Sequence, residues 1–383
     1  MSKIARLETF LVAPRWLFVR LEADDGIVGW GEASCEGHSE TVAAAIKDMR
    51  LMIIGADADR IEDLWRVLSL SGFYRFGPIL SSAVSGIDHA LWDIKGKRHG
   101  VPVHELLGGR VRDKLRVYCW VGGDDPSEIK EQISARLEQG LTAIKMNGSG
   151  RMSGLASKAE QDGLLDRLAA AREVLGDERD MAVDFHGRIS YPTAKRLLKL
   201  VEPLRPFFVE EPVVPENTHL IPSLIESTSV PIATGERLYN RQEFLPVLQG
   251  GLAVVQPDLS HAGGITEVRK IATMAESFGA LLAPHCPLGP LALAASIQVD
   301  LCTPNFIIQE GSFGIHYNTT ADVTDYVVDK SVFDFHSDGY LPALTGPGLG
   351  VEIDEKAVRE AAKNWENWKT PIWRYPDGSL SEW

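Results

Sequence analysis

The chain has 383 residues, of which 44% are hydrophobic and 24% are charged, the composition of an ordinary soluble globular protein. Because one hydrophobic core rarely serves more than about 250–300 residues, we expect roughly two domains. The formal net charge of −14 argues against nucleic acid and anionic membranes as partners. An anionic substrate would therefore need a local cation, either a bound metal or a Lys/Arg pocket.

The cysteines and the first residues indicate the cellular setting. The four cysteines are scattered without a Cys-x-x-Cys pair, so neither a zinc site nor a disulfide framework is indicated. The opening residues lack an apolar targeting core, and no apolar run reaches membrane-spanning length. We therefore expect a cytoplasmic protein.

Residues 1–112 are predicted to form an α+β module, a small antiparallel sheet followed by helices. A hairpin turn is expected at Ala23-Asp-Asp-Gly26. The predicted strands cover residues 4–12, 17–22 and 27–32, and the predicted helices cover about 39–53, 61–71 and 79–98.

Residues 113–320 change to short apolar strands that alternate with amphipathic helices. The predicted strands are 116–121, 143–147, 181–185, 207–211, 232–236, 254–258, 281–285 and 306–310. This alternation predicts a parallel (β/α)7β barrel, a TIM barrel with a modified last unit. Residues 321–383 are rich in Asp, Pro and Gly, and we expect them to return to the N-terminal module.

Asp184 and His186 lie at the end of the third predicted barrel strand. Side chains alternate along a strand, so these two are predicted to point the same way. The carboxyl ends of parallel strands are where ligands bind. Taken alone, an Asp-x-His pair is more often turn chemistry or a satisfied polar pair than a functional site.

Carboxylates recur at the ends of the next two strands, which strengthens that hypothesis. Asp184 is followed, one βα unit later, by a glutamate of the pair Glu210–Glu211, and after another unit by Glu236. Three such charges at one barrel mouth repel unless a divalent cation binds them, and oxygen ligands suit Mg²⁺ or Mn²⁺. Strand parity alone does not decide between the two adjacent glutamates.

His285 and Asp258 end two neighbouring predicted strands, and His285 lies between two prolines that restrict the backbone. The carboxylate could orient the imidazole and stabilise its charge. A His–Asp pair beside a metal is an arrangement for removing a proton from carbon.

Several motifs identify a family resemblance. The runs 90–97 and 100–109, and Val209-Glu-Glu-Pro212, resemble the mandelate racemase group of the enolase superfamily. Longer stretches are similar to the sugar-acid dehydratases of that group, and they lie at 8–16, 184–188, 256–267, 284–290, 314–318 and 377–383. The resemblance covers the whole chain and implies an enolase-like architecture, in which both chain ends form an α+β capping domain on the barrel.

The resemblance also implies one Mg²⁺ per active site and assigns roles to single residues. Asp184, Glu210 and Glu236 would hold the ion. His285, paired with Asp258, would be the base that takes the C2 proton of a sugar acid. His186 would be the acid that assists loss of the 3-hydroxyl, and Glu310 would bond a substrate carboxylate oxygen.

The second barrel strand distinguishes between reactions within the group. Racemases of the group carry Lys-x-Lys there, whereas this chain has Lys145-Met-Asn147. Asparagine cannot act as a base near neutral pH, so one-base elimination is favoured over racemisation. Lys145 would neutralise the substrate carboxylate, and Asn147 would bond a hydroxyl.

The expected activity is therefore Mg²⁺-dependent dehydration of a sugar acid, D-galactonate, to the 2-keto-3-deoxy acid. Gluconate or arabinonate is the alternative substrate, because the stretch 33–40 does not clearly resemble that of enzymes acting on galactonate and 148–158 matches no pattern that we recognise. A vestigial site is the remaining alternative. Residues 69–77 could form a lid or a turn between helices, and His316 has no assigned role. The resemblance also implies a symmetric homo-oligomer, such as an octamer.

Overall fold

The structure is a computed structural model, and it describes residues 2–122, 126–148, 150–315, 318 and 320–383. His316, which the sequence left without a role, lies outside the described residues. Within the described ranges, no helix has both the length and the apolar character needed to cross a membrane.

The N-terminal part is an antiparallel sheet covered by three helices, as predicted. Its strands, in the order β1-β2-β3, are β1 (Ile4–Val12), β2 (Trp16–Ala23) and β3 (Val28–Glu32). The helices are α1 (Ser39–Ile53), α2 (Ile61–Leu70) and α3 (Gly77–His99). Helix α3 approaches β3 so closely that a Cβ atom at Gly31 would overlap the backbone carbonyl of Gly86. Glycine is therefore required at this position of β3.

The second part is the predicted barrel. Its eight strands are β4 (Lys114–Val121), β5 (Ala143–Asn147), β6 (Asp180–Asp184), β7 (Phe208–Glu210), β8 (Ile232–Thr234), β9 (Val254–Val255), β10 (Leu281–Leu282) and β11 (Gln309–Gly311). Neighbouring strands are parallel from β4 to β10, and β11 pairs with β4. A parallel bridge between Leu282 and Phe306 closes the ring.

Seven helices connect these strands, which confirms the (β/α)7β architecture with an α+β cap. After the short α4 (Val103–Leu106), the connecting helices are α5 (Pro126–Glu138), α6 (Lys158–Leu175), α7 (Tyr191–Val201), α8 (Ile221–Ile225), α9 (Arg241–Gln249), α10 (Gly264–Ser277) and α11 (Pro290–Cys302). An antiparallel strand, β12 (Tyr340–Pro342), pairs with the first residues of β4, Lys114–Arg116.

One side chain from each strand unit fills the barrel interior. This layer consists of Tyr118, Ala143, Ala182, Phe208, Ala233, Val254, Ala283 and Ile308. The two aromatic rings, those of Tyr118 and Phe208, meet edge to face with centroids 6.3 Å apart. The layer is closed and apolar, so it forms the floor on which the next inward residues stand.

Several barrel strands end earlier than predicted. Strands β8, β9 and β10 were expected to reach residues 236, 258 and 285, but their ladders stop at Thr234, Val255 and Leu282. Proline has no N–H to donate to a ladder, which accounts for the breaks at Pro257 and Pro284. One bridge, between Asp258 and His285, resumes the pairing beyond both breaks.

The segment that follows the barrel returns to the N-terminal sheet. Its helix α12 (Glu355–Ala361) places Glu355 3.1 Å from Arg20 of β2, and Arg359 lies 3.1 Å from Glu8 of β1. After this helix the chain crosses to the barrel mouth, where β13 (Trp373–Arg374) and β14 (Leu380–Ser381) form a small hairpin. The crossing was not predicted, and the domain boundaries at 112/113 and 320/321 stay predictions.

The motif at 90–97 has a structural explanation in Asp93. Its buried carboxylate accepts hydrogen bonds from the backbone N–H of Trp30 and of Leu349, each at 2.9 Å. The same carboxylate pairs with Lys97 at 2.6 Å. Because buried N–H groups need acceptors, Asp93 joins β3, α3 and the returning segment.

Candidate active site

The polar residues predicted to form the site continue the inward direction of the apolar floor. Lys145 lies two residues beyond Ala143, Asp184 two beyond Ala182, and Glu210 two beyond Phe208. Side chains alternate between the two faces of a strand, so residues two apart share the inner face. The same rule applies to His285 and Glu310, which follow Ala283 and Ile308 of the floor.

Glu236 has the opposite parity from the floor residue Ala233, so strand alternation does not bring it inward. Strand β8 ends at Thr234, and Gly235 has a φ of +144°. That backbone value strongly favours glycine. The turn it permits brings the Glu236 carboxylate to within 3.4 Å of His285 Nε2.

Glu210 rather than Glu211 faces the interior. Its Oε1 lies 2.7 Å from Lys145 Nζ, and its Oε2 accepts a hydrogen bond from Gln256 Nε2 at 2.7 Å. Glu211 instead accepts from the hydroxyl of Thr234 and pairs with Arg237. The structure thus separates the two glutamates, which the sequence pattern did not.

Lys145 bridges two carboxylates in the barrel interior. Its Nζ lies 2.7 Å from Glu210 Oε1 and 2.7 Å from Glu310 Oε1. Burial opposes the lysine charge, but the two glutamates outweigh burial and raise the pKa of Lys145 well above its ordinary value. An ammonium group has three donors, so one remains for a ligand.

The interior carries more negative charge than Lys145 neutralises. Burial raises the pKa of the Glu210 carboxyl well above its ordinary value, although Lys145 opposes the shift. The charges of Asp184, Glu310 and Glu236 raise that pKa further. Such crowding of carboxyl groups is relieved either by protonation or by a cation.

The donor chemistry of this cluster fits Mg²⁺, but the side chains are not gathered around one point. Among the residues that the structure describes, no three His, Cys, Asp or Glu side chains converge closely enough to hold a metal ion as they stand. The oxygens of Glu210 are engaged by Lys145 and Gln256, and those of Asp184 by His186. Binding an ion would require these contacts to rearrange.

His285 and Asp258 form the predicted pair. Imidazole Nδ1 lies 2.8 Å from Asp258 Oδ2, and the second carboxylate oxygen of Asp258 accepts from the backbone N–H of Ser260. With Nδ1 donating to the carboxylate, Nε2 is left to face the cavity. Burial disfavours the charged imidazole, but the carboxylates of Glu236 and Glu310 outweigh it and raise the pKa of His285 to about 10.

His186 contacts Asp184, but not by strand alternation as predicted. Strand β6 ends at Asp184, and His186 lies in the following turn with a φ of +54°. Its Nδ1 is 3.2 Å from Asp184 Oδ2, and its backbone N–H donates to Oδ1 of the same carboxylate. A positive φ is uncommon for a residue with a side chain, and such conformations cluster at functional sites.

A single cavity of ≈ 1220 Å³ brings most of the predicted residues together. Seven predicted residues line it, namely Lys145, Asn147, Asp184, His186, Glu236, His285 and Glu310. Glu210 and Asp258 lie beneath its wall, buried and bonded to residues that line it. No residue of the predicted lid candidate at 69–77 lines this cavity, although the next residue, Pro78, does. Phe73 and Tyr74 of the candidate are 91% and 86% exposed.

Several residues that line the cavity were not predicted from the sequence. Arg15 and Glu36 enter from the cap as an ion pair at 2.6 Å. His261 also lines the cavity, where it is buried and bonded to Ser82 at 2.9 Å. It also lies 3.8 Å from Asp258, and its position three residues after that aspartate was the available signal.

The site combines carboxylates at the mouth of a (β/α)7β barrel, an α+β cap above it and a His–Asp pair beside it. This combination is typical of metal-assisted enzymes that act on carbon acids. Family models match two parts of the chain: the mandelate racemase/muconate lactonizing enzyme N-terminal domain at residues 9–108, and the enolase C-terminal domain-like family at 128–357. The chain belongs to the mandelate racemase group of the enolase superfamily.

Individual relatives cover the full chain. A D-galactonate dehydratase from Variovorax paradoxus is 53% identical over 100% of both chains, and one from Pectobacterium atrosepticum is 50% identical over 100% of both. Among solved structures, an enolase from Agrobacterium radiobacter with bound sodium and L-malate superposes with a TM-score of 0.90. It is 35% identical and the match covers 99% of each chain.

The different positions of Glu210 and Glu211 can be tested by measuring Mg²⁺ binding. We expect Glu210→Gln to weaken Mg²⁺ affinity at least about 10-fold, because a charged oxygen ligand is replaced by a neutral amide. Isothermal titration calorimetry measures this affinity directly. Glu211→Gln is the matched control, and it should bind Mg²⁺ close to the wild-type level. Unchanged affinity in Glu210→Gln would remove this residue from the ligand set.

Proposed function

We propose that the protein is a Mg²⁺-dependent hydro-lyase that dehydrates D-galactonate to its 2-keto-3-deoxy acid. The observation that carries this proposal is the placement of two histidines, each bonded to an aspartate, on one cavity. The D-galactonate dehydratases to which the chain is 50–53% identical over its full length support the choice of substrate.

Asp184, Glu210 and Glu236 would hold the Mg²⁺ ion through carboxylate oxygens. The bound ion would stabilise the negative charge that develops on the substrate carboxylate when the neighbouring carbon loses its proton. Lys145 would offer its third N–H to the same carboxylate. Glu310 would bond one of its oxygens as the neutral carboxylic acid, because an ionised carboxylate has no proton to donate. The contact of 2.7 Å between Lys145 and Glu310 already holds both residues in place.

His285 removes the C2 proton through Nε2. Asp258 holds the opposite ring nitrogen at 2.8 Å, which fixes the tautomer and stabilises the imidazolium that forms. A base must be neutral before it accepts a proton. Glu236 and Glu310 oppose this, because they raise the pKa of His285 and so favour its charged form. Occupation of Glu236 by a cation would remove its contribution to that shift.

His186 donates the proton that converts the 3-hydroxyl into a departing water molecule. The electron pair of the broken C2–H bond first moves onto the substrate carboxylate, and in a second step it forms the C2=C3 double bond while the C3–O bond breaks. The resulting enol ketonises to the 2-keto-3-deoxy acid. Because one histidine takes a proton and the other gives one, the reaction needs a base and an acid in the same cavity.

Asn147 argues against racemisation as the function of this site. It occupies the position where racemases of the group place a second lysine base, and its amide has no proton affinity near neutral pH. Its side chain lines the cavity, where it would bond a hydroxyl of the substrate.

The substrate is tested by incubating the wild-type protein and Mg²⁺ with D-galactonate, gluconate, arabinonate and galactarate. We expect 2-keto-3-deoxy product from D-galactonate at the highest kcat/KM, detected as the semicarbazone. A higher kcat/KM on another acid sugar would keep the dehydration chemistry and replace the substrate. Turnover of none of them would favour a vestigial site.

The base is tested by His285→Asn. We expect both dehydration and exchange of the C2 proton in D₂O to fall by about 10²–10⁴-fold, the usual contribution of general base catalysis. His219→Asn, which alters an exposed histidine, is the control and should retain both. Exchange that persists in His285→Asn would show that another group takes the proton.

A further inference from the structure

The segment from residue 365 to 383 lies across the mouth of the active-site cavity. Three of its tryptophans, Trp368, Trp373 and Trp383, line that cavity. Nothing in the local sequence pattern indicated such a position, and the preceding helix α12 is bound to the capping sheet instead. The segment therefore adds a wall to the site that neither barrel strands nor cap loops provide.

Contacts at both ends hold this wall against the rest of the molecule. The hydroxyl of Tyr375 donates to the backbone carbonyl of Met152 at 2.8 Å, and Arg151 donates to the carbonyl of Arg374. At the other end, the side-chain amide of Asn367 donates to Glu40 at 3.3 Å. The segment is thus tied to the loop after β5 and to the start of α1.

Within this wall Trp383 contacts the ring of His186. Their ring centroids lie 5.4 Å apart with planes at 85°, so one ring meets the other edge to face. Trp383 also packs on Trp368, with centroids 5.7 Å apart. Trp368 in turn lies 5.7 Å from the guanidinium carbon of Arg15, which belongs to the cap. A continuous set of packed side chains thus links the cap to His186.

His186 needs such a support more than the other predicted catalytic residue does. The side chain of His285 is 14% exposed and is held by Asp258, whereas that of His186 is 30% exposed. Its backbone lies in a turn at positive φ, outside any strand. Asp184 fixes one ring nitrogen, and Trp383 meets the ring itself.

We propose that Trp383 is a positioning residue for His186, which it keeps aimed at the leaving hydroxyl of the substrate. The inference rests on the proposed function, because it needs His186 to act as the acid. Small misplacements of a catalytic group cost large factors in rate. Loss of the Trp383 ring therefore affects departure of the 3-hydroxyl, while proton removal by His285 on its separate support continues.

The experiment compares two rates on D-galactonate in D₂O: dehydration, and exchange of the C2 proton in recovered substrate. We expect Trp383→Ala to lower kcat for dehydration by roughly 10–100-fold, the scale of a misplaced catalytic group. Exchange should persist, so the ratio of exchange to dehydration rises toward that of His186→Asn. Trp383→Phe retains an aromatic ring and should restore most of the dehydration rate.

Leu380→Ala is the matched control, because Leu380 lies in β14 three residues before Trp383, is 68% exposed and does not line the cavity. It should leave both rates close to wild type. If Trp383→Ala and Trp383→Phe lose exchange and dehydration in equal proportion, or if neither variant changes the ratio, the inference is wrong. Wild-type protein that dehydrates no acid sugar would instead contradict the proposed function.

Discussion

The excess of buried carboxylates in the barrel interior is the constraint on which the site depends. Lys145 lies between Glu210 and Glu310 at 2.7 Å from each, and Asp184 and Glu236 add further negative charge nearby. Burying like charges together costs free energy, so such a cluster is not expected in a purely structural core. Binding of a divalent cation, and through it of an anionic substrate, would relieve this cost.

The barrel brings these groups together by two different means. Regular alternation along β5, β6 and β7 directs Lys145, Asp184 and Glu210 inward above an apolar floor. Irregular backbone beyond the strand ends positions two further residues. Gly235 turns Glu236 toward His285, and a left-handed turn places His186 beside Asp184. The regular strands thus position Lys145, Asp184 and Glu210, whereas the turns position Glu236 and His186.

The sequence predicted what depends on local periodicity. The strand and helix patterns indicated the (β/α)7β barrel and its cap, and strand ends indicated which side chains share the cavity. The predicted strand ends near Pro257 and Pro284 were wrong. The sequence stays apolar there, but a proline has no N–H with which to continue the ladder of hydrogen bonds. The contact between Trp383 and His186 depends on packing between distant parts of the chain, which leaves no local pattern.

The most direct test of this account measures dehydration of D-galactonate by protein stripped of divalent ions, followed by titration with Mg²⁺. If the carboxylate cluster works as a cation site, the stripped protein forms no 2-keto-3-deoxy acid, and activity returns in full as one Mg²⁺ binds per chain. Full activity in the stripped protein would contradict it, because the buried carboxylates would then serve the reaction without an ion.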